Sequence, residues 1–120
     1  SHMEKSLENL KSLVTRGMIQ SISAYKELFS SSPEISIALA YLNSATSYFA
    51  AAEALYYSNV EYFDSQFTSD IFERFSIFEK EFLQSVQKNH SHQWTDIEFQ
   101  HLRNSFMSSP FAFENEDLFP

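Results

Sequence analysis

Residues 67–86 read FTSDIFERFSIFEKEFLQSV, and within them Phe67, Ile71, Phe75, Phe78, Phe82 and Val86 follow one another at steps of four, four, three, four and four. That spacing draws one stripe along an α-helix, and most of the stripe is phenylalanine. A helix with such a face cannot stay alone in water and must lay it against other helices. Asp70, with Glu73 three residues on, is placed to cap its start, so the predicted helix covers residues 70–88.

The chain on either side supplies the partners. Leu7, Leu10, Val14, Met18, Tyr25 and Leu28 share one face of a first helix over residues 4–29. Ser30-Ser31-Ser32-Pro33 breaks it, and Ser32, Pro33 and Glu34 have the character of an N-cap, a first-position proline and a first-turn acid. A second helix then runs from residue 33 to 57, with a continuation to 63 left open. After the polar connector Asn89-His90-Ser91-His92-Gln93, Thr95 and Glu98 form a capping-box pair flanked by Trp94 and Phe99 at staple positions. They start a further helix that ends before Ser108-Ser109-Pro110. Four helices and short connectors predict an all-α, antiparallel four-helix bundle with a short acidic, phenylalanine-containing C-terminal tail. The expected division is residues 1–3 as the remnant of a cleaved tag, 4–109 as the bundle and 110–120 as the tail.

Composition narrows the function classes. The chain has 120 residues, sixteen acidic against eight basic side chains, and a formal charge of −8. Counterion release opposes nucleic-acid binding by such a surface, so no direct nucleic-acid contact is expected. An inhibitor that imitates nucleic acid and occupies a basic partner is the alternative that this charge allows. There is no cysteine, which excludes disulfides and thiolate metal sites and fits a reducing, cytoplasmic address. Asn43, Ser44, Thr46, Ser47 and Glu53 interrupt any apolar run long enough to span a membrane, so no membrane partner is expected.

The second helix is the odd one, because between Pro33 and Phe63 only Glu34, Glu53 and Glu61 carry charge. At a hundred degrees per residue, Ile35, Leu39, Leu42, Thr46, Phe49, Tyr56 and Val60 make its main apolar face. Ile37, Tyr41, Tyr48, Leu55 and Tyr62 line a second face, and Ala40, Ser44, Ser47, Ala51, Ala54 and Ser58 a small-residue edge. A helix without a charged face is normally enclosed on most sides. The expected interface is therefore Ala40, Tyr41, Ser44, Ser47, Tyr48, Ala51, Ala54 and Tyr62 against a second copy, giving a homodimer. A central helix wrapped by its own chain is the competing reading. Glu53 falls within the main apolar face, which makes it a candidate buried polar site, paired with a cation or tyrosine or touching a ligand.

The search for chemistry returns little. The single glycine, Gly17, stands alone inside the first helix, so no phosphate-cradling loop exists. Glu98 and His101 match half of the Glu-x-x-His pair of di-iron bundles, but the second half is missing, so neither metal nor cofactor is expected. An enzyme alternative would centre carboxylate chemistry on Glu53 with Glu98 and His101. In the tail, Asn115-Glu116-Asp117-Leu118-Phe119 resembles the Gln-x-Asp-Leu-Phe peptides that dock on bacterial sliding clamps, making Asp117, Leu118 and Phe119 a candidate motif. The competing expectation is a tail that folds back over one end of the bundle.

The stretch from Tyr41-Leu42-Asn43-Ser44-Ala45 to Ala51-Ala52-Glu53-Ala54-Leu55 is similar to the opening helix of HEPN-type bundles. The resemblance implies a small helical bundle, often dimeric, of a family that includes ribonuclease toxins and partners of nucleotidyltransferases. Its ribonucleases carry an arginine followed after a short gap by histidine. Here Arg16 is followed at those places by Ser21, Ile22 and Ser23, Arg74 by Glu79, Lys80 and Glu81, and Arg103 by Ser108, Ser109 and Pro110. The nuclease motif is absent. The leading expectation is a non-catalytic protein–protein interaction module, partnered by itself and by a further, unidentified protein.

Overall fold

The computed structural model describes residues 2–67, 69–88 and 91–110. His90 and the tail with Asp117, Leu118 and Phe119 lie outside the described residues. The described chain is all-α, with no strand: α1 (His2–Leu28), α2 (Ile35–Ser58), the short α3 (Val60–Asp64), α4 (Asp70–Gln87) and α5 (Gln93–Met107). No helix is long and apolar enough to cross a membrane among those residues.

Packing is most extensive between α1 and α2, then between α4 and α5, and the two pairs meet through α2 with α4 and α1 with α5. Within each pair the two helices run antiparallel, the end of one lying beside the start of the other. Asn59, just past α2, reaches Met3 near the start of α1. Likewise Ser105 near the end of α5 donates to Asp70 at the start of α4 over 2.9 Å.

The phenylalanine stripe is buried as its spacing predicts: Phe67, Ile71, Phe75, Phe78 and Phe82 are all inside, with Phe72 added beside them. Its rings continue across all four long helices. Phe49 of α2 stacks on Phe75 at 4.5 Å, Phe75 meets Phe78 at 6.2 Å, and Phe78 meets Phe99 of α5 at 5.7 Å. Phe99 stacks on Tyr25 of α1 at 4.0 Å. The circuit closes at Gly17 of α1, where an added Cβ would lie 2.7 Å from Phe49 Cε2. The glycine is there because the ring needs the space that a side chain would fill. A second cluster gathers Phe63, Phe67 and Phe72 around Tyr56, whose hydroxyl donates to Asp64.

Several local expectations give way to tertiary contacts. The capping box fails: α5 begins at Gln93 with His92 as its N-cap and no side-chain cap. Thr95 is buried inside the helix, its hydroxyl 3.2 Å from both the Glu81 carbonyl and Ser85 Oγ of α4. A hydroxyl at a helix–helix contact is satisfied there at less cost than by freeing it to cap its own helix. Trp94 is 59% exposed, so it makes no staple. Asp70 does not cap α4 either, because Ser69 is the N-cap, without a side-chain bond, and Asp70 accepts from Ser105 instead. At α2, Ser32 gives way to Glu34 as N-cap. Asn59 stops α2, and its side chain accepts from the Tyr62 backbone N–H to start α3.

The buried face of α2 is not the one expected. Ala38, Leu42, Ala45, Phe49, Ala52 and Tyr56 face inward, a face rotated by about 50° from the expected one at a hundred degrees per residue. Small buried residues decide it: Ala38, Ala45 and Ala52, with Gly17, Ser21 and Ala24 of α1, allow α1 and α2 to approach closely. The rotation carries Glu53 off the core, and it is exposed. Glu53 as a buried polar site is thereby corrected.

Two consequences can be measured. Gly17→Ala gains about 1 kcal/mol of helix propensity but drives a methyl into a stacked, buried ring, an overpacking cost of about 1–3 kcal/mol. Denaturant unfolding should therefore show net destabilisation, relieved in a Phe49→Leu background. Tyr25 donates to Asp96 over 2.5 Å, and burial first, then that carboxylate, push its pKa from 10.0 to about 12. The folded value lies above the unfolded one, so this contribution is whole below pH 10.0 and is lost as pH rises toward 12. Absorbance titration should show late tyrosinate ionisation whose amplitude falls by one tyrosine in Tyr25→Phe, Tyr56 being the other raised hydroxyl.

Candidate functional site

Three features remain once the core is accounted for. The first is the outer side of α2, opposite its buried face. Ala40, Tyr41, Ser47, Ala51 and Ala54 are exposed there, and Ser44 and Tyr48 are half-buried. Ile37 is 44% exposed and Tyr57 57%. Tyr62 belongs to α3, beyond the Asn59 break, and does not continue this face. Within one chain α2 is not wrapped on all sides: its small-residue edge lies on the surface.

The second is a small cleft between α2 and α4, lined by Thr46, Phe49, Ala50, Glu53, Phe72, Phe75, Ser76 and Glu79. Glu53 reaches it from the rim. The Thr46 hydroxyl lies against both the Glu79 carboxylate and the Leu42 carbonyl. Glu98 and His101 are elsewhere, between α4 and α5. The expected grouping of Glu53 with Glu98 and His101 is therefore not assembled, because the buried face of α2 turns Glu53 toward α4's other flank.

The third is a polar cleft of about 340 Å³ between the start of α4 and the end of α5, lined by Asp70, Arg74, His101, Asn104, Ser105 and Ser108. Asp70 and Arg74 stand four apart on α4. His101, Asn104, Ser105 and Ser108 stand at steps of three, one and three at the end of α5. Each set shares a helical face, and the antiparallel contact turns the faces toward each other. Arg74 Nη1 donates to His101 Nδ1 over 3.1 Å. A guanidinium only donates, so that nitrogen accepts and the ring proton sits on Nε2. Glu98 lies beside both: Oε1 is 3.4 Å from His101 Nδ1, two acceptors that the guanidinium holds close together, and Oε2 is 3.8 Å from Arg74 Nη1. That second oxygen is buried with no hydrogen-bond partner, so Arg74 supplies charge compensation at a distance too long for a hydrogen bond.

Among the described residues no group of three or more histidines and carboxylates is arranged to hold a metal ion. Glu98 and His101 are coupled to a cation, Arg74, where a di-iron half-site would need a further ligand. Residue-type spacing did not single out Asp70, Arg74, Asn104 or Ser105 as a site. Their shared faces are visible in the sequence, but their meeting depends on which helices pair. No protein-family model, no curated protein and no solved structure matches the chain.

Removing Arg74 leaves Glu98 Oε2 buried and uncompensated, at a cost of about 1–3 kcal/mol. Arg74→Met should lower stability by that order in denaturant unfolding, and Arg74→Met with Glu98→Leu should recover most of it.

Proposed function

We propose that this chain is an antiparallel four-helix bundle that works by binding rather than catalysis, and that it pairs with a second copy of itself through the outer face of α2. One observation carries the reading: α2 exposes a side made of Ile37, Ala40, Tyr41, Ser47, Ala51 and Ala54, with no charged residue among them, on a chain of net charge −8. Acidic proteins usually keep their charges on the exposed sides of helices, so an uncharged exposed side favours burial against another uncharged surface. Its own copy is the occupant that supplies the same surface, and a two-fold axis makes the patch self-complementary.

The dimensions are adequate. A 24-residue helix is about 36 Å long, and its exposed side with flanking tyrosines offers on the order of 500–800 Å², near the ~800 Å² per partner of a standard interface. Ala40, Ser47, Ala51 and Ala54 allow backbones to approach, while Tyr41 and Tyr48 add area and keep their hydroxyls for the wet rim. The similarity of residues 41–55 to HEPN-type helices supports the same reading, since such bundles often pair. The lack of cysteine fits a cytoplasmic setting, and a further protein partner would bind the assembled pair.

Sedimentation at micromolar concentration should give a mass near twice the 14.0 kDa of one chain. Ser47→Glu and Ala51→Glu place charge on an exposed side and should yield monomers with unchanged helix content. A single-chain mass for the unaltered protein at about 100 μM, a concentration where standard-size interfaces are occupied, would overturn the proposal.

A further inference from the structure

From the α4/α5 cleft we infer a binding site for a small zwitterion of the amino-acid type, its ammonium on Asp70 and its carboxylate on Arg74 and His101. The inference stands apart from pairing through α2, on different helices. The six lining side chains, Asp70, Arg74, His101, Asn104, Ser105 and Ser108, each carry a polar group, so a ligand there has hydrogen-bonding partners of both charges. The cleft, about 340 Å³ and open to solvent on one side, has room for a molecule of amino-acid size.

Charge placement identifies the ligand's two ends. Asp70 and Arg74 are four apart on α4, a spacing at which an aspartate and an arginine ordinarily pair. Here they are drawn apart. Arg74 is turned to His101 at 3.1 Å and Glu98 at 3.8 Å, while Asp70 Oδ2 accepts from Ser105 Oγ at 2.9 Å. Opposite charges are therefore held on one cleft without neutralising each other. Both contacts of Arg74 use Nη1, so Nε and Nη2 have no partner among the described residues and can take a carboxylate in two-pronged fashion. His101 Nε2–H adds a third donor. Asp70 Oδ1 accepts from an ammonium, and Asn104 and Ser108 can bond either end. A plain anion would satisfy Arg74 but would face the Asp70 carboxylate. A plain cation would leave the guanidinium edge unused.

The test is a titration of the full ¹⁵N-labelled chain with glycine and L-serine, each alongside its N-acetyl and its amide derivative. Saturable shifts around Asp70, Arg74, His101 and Ser105 are expected with the zwitterions, with either derivative at least about tenfold weaker. Asp70 is exposed, so Asp70→Asn should fold normally; it should weaken glycine and serine about tenfold and leave the N-acetyl derivatives unchanged. Arg74→Lys, which keeps the charge beside Glu98, should weaken the amides less than the zwitterions. Equal binding of zwitterions and derivatives, shifts located elsewhere, or no saturation by about 10 mM would overturn the assignment.

Discussion

The structure depends on a closed circuit of aromatic contacts. From Phe49 through Phe75, Phe78 and Phe99 to Tyr25, ring contacts of 4.0–6.2 Å pass from α2 to α4 to α5 to α1. Gly17 returns the circuit to Phe49. Each ring buries a large apolar area, and each gains further from the tilted or offset geometry of its neighbours. Because the rings come from four helices, no pair of helices is complete without the others. The glycine shows how close the fit is: the place where α1 meets Phe49 has no room for a methyl group.

Around this core the polar groups follow a consistent rule. Tyr25 bonds to Asp96, Tyr56 to Asp64, Thr46 to Glu79, Thr95 to α4, and Ser105 to Asp70. Most of these join residues far apart in sequence. Buried or half-buried donors are expensive to leave unmade, so they find partners across the helix contacts that enclose them. Burial and the neighbouring Asp64 carboxylate also push the Tyr56 hydroxyl above its ordinary pKa, keeping it a donor over the whole neutral range. Two atoms among the described residues depart from this rule, His92 Nδ1 and Glu98 Oε2, each buried without a hydrogen bond; the second lies beside Arg74, behind the α4/α5 cleft.

The outer side of α2 and the α4/α5 cleft differ in character for a physical reason. α2 gives its buried alanines to α1 and its phenylalanine to α4, and apart from Glu53 on one flank what remains outside is uncharged. At the end of the α4/α5 contact Ser105 bonds to Asp70, and side chains bearing polar groups line the opening.

The four long helices were legible from the residues, whereas α3, separated from α2 at Asn59, was not legible as a helix of its own. Steps of three and four in α1 and α4, and the breaks at Ser30-Ser31-Ser32-Pro33 and before Ser108, are local properties set by side-chain periodicity and turn chemistry. Terminal and facial details were decided only in three dimensions. Thr95 had a capping partner in Glu98 by spacing, but α4 offered its hydroxyl a buried bond. Glu53 fell within an apolar face by periodicity, but the alanines of α2 packed inward to meet α1 and turned it out to solvent. Arg74 and His101, 27 residues apart, meet only because α4 and α5 lie side by side. Periodicity states which residues share a face of one helix; which face is buried, and against what, is set by the volumes that all the helices must fill together.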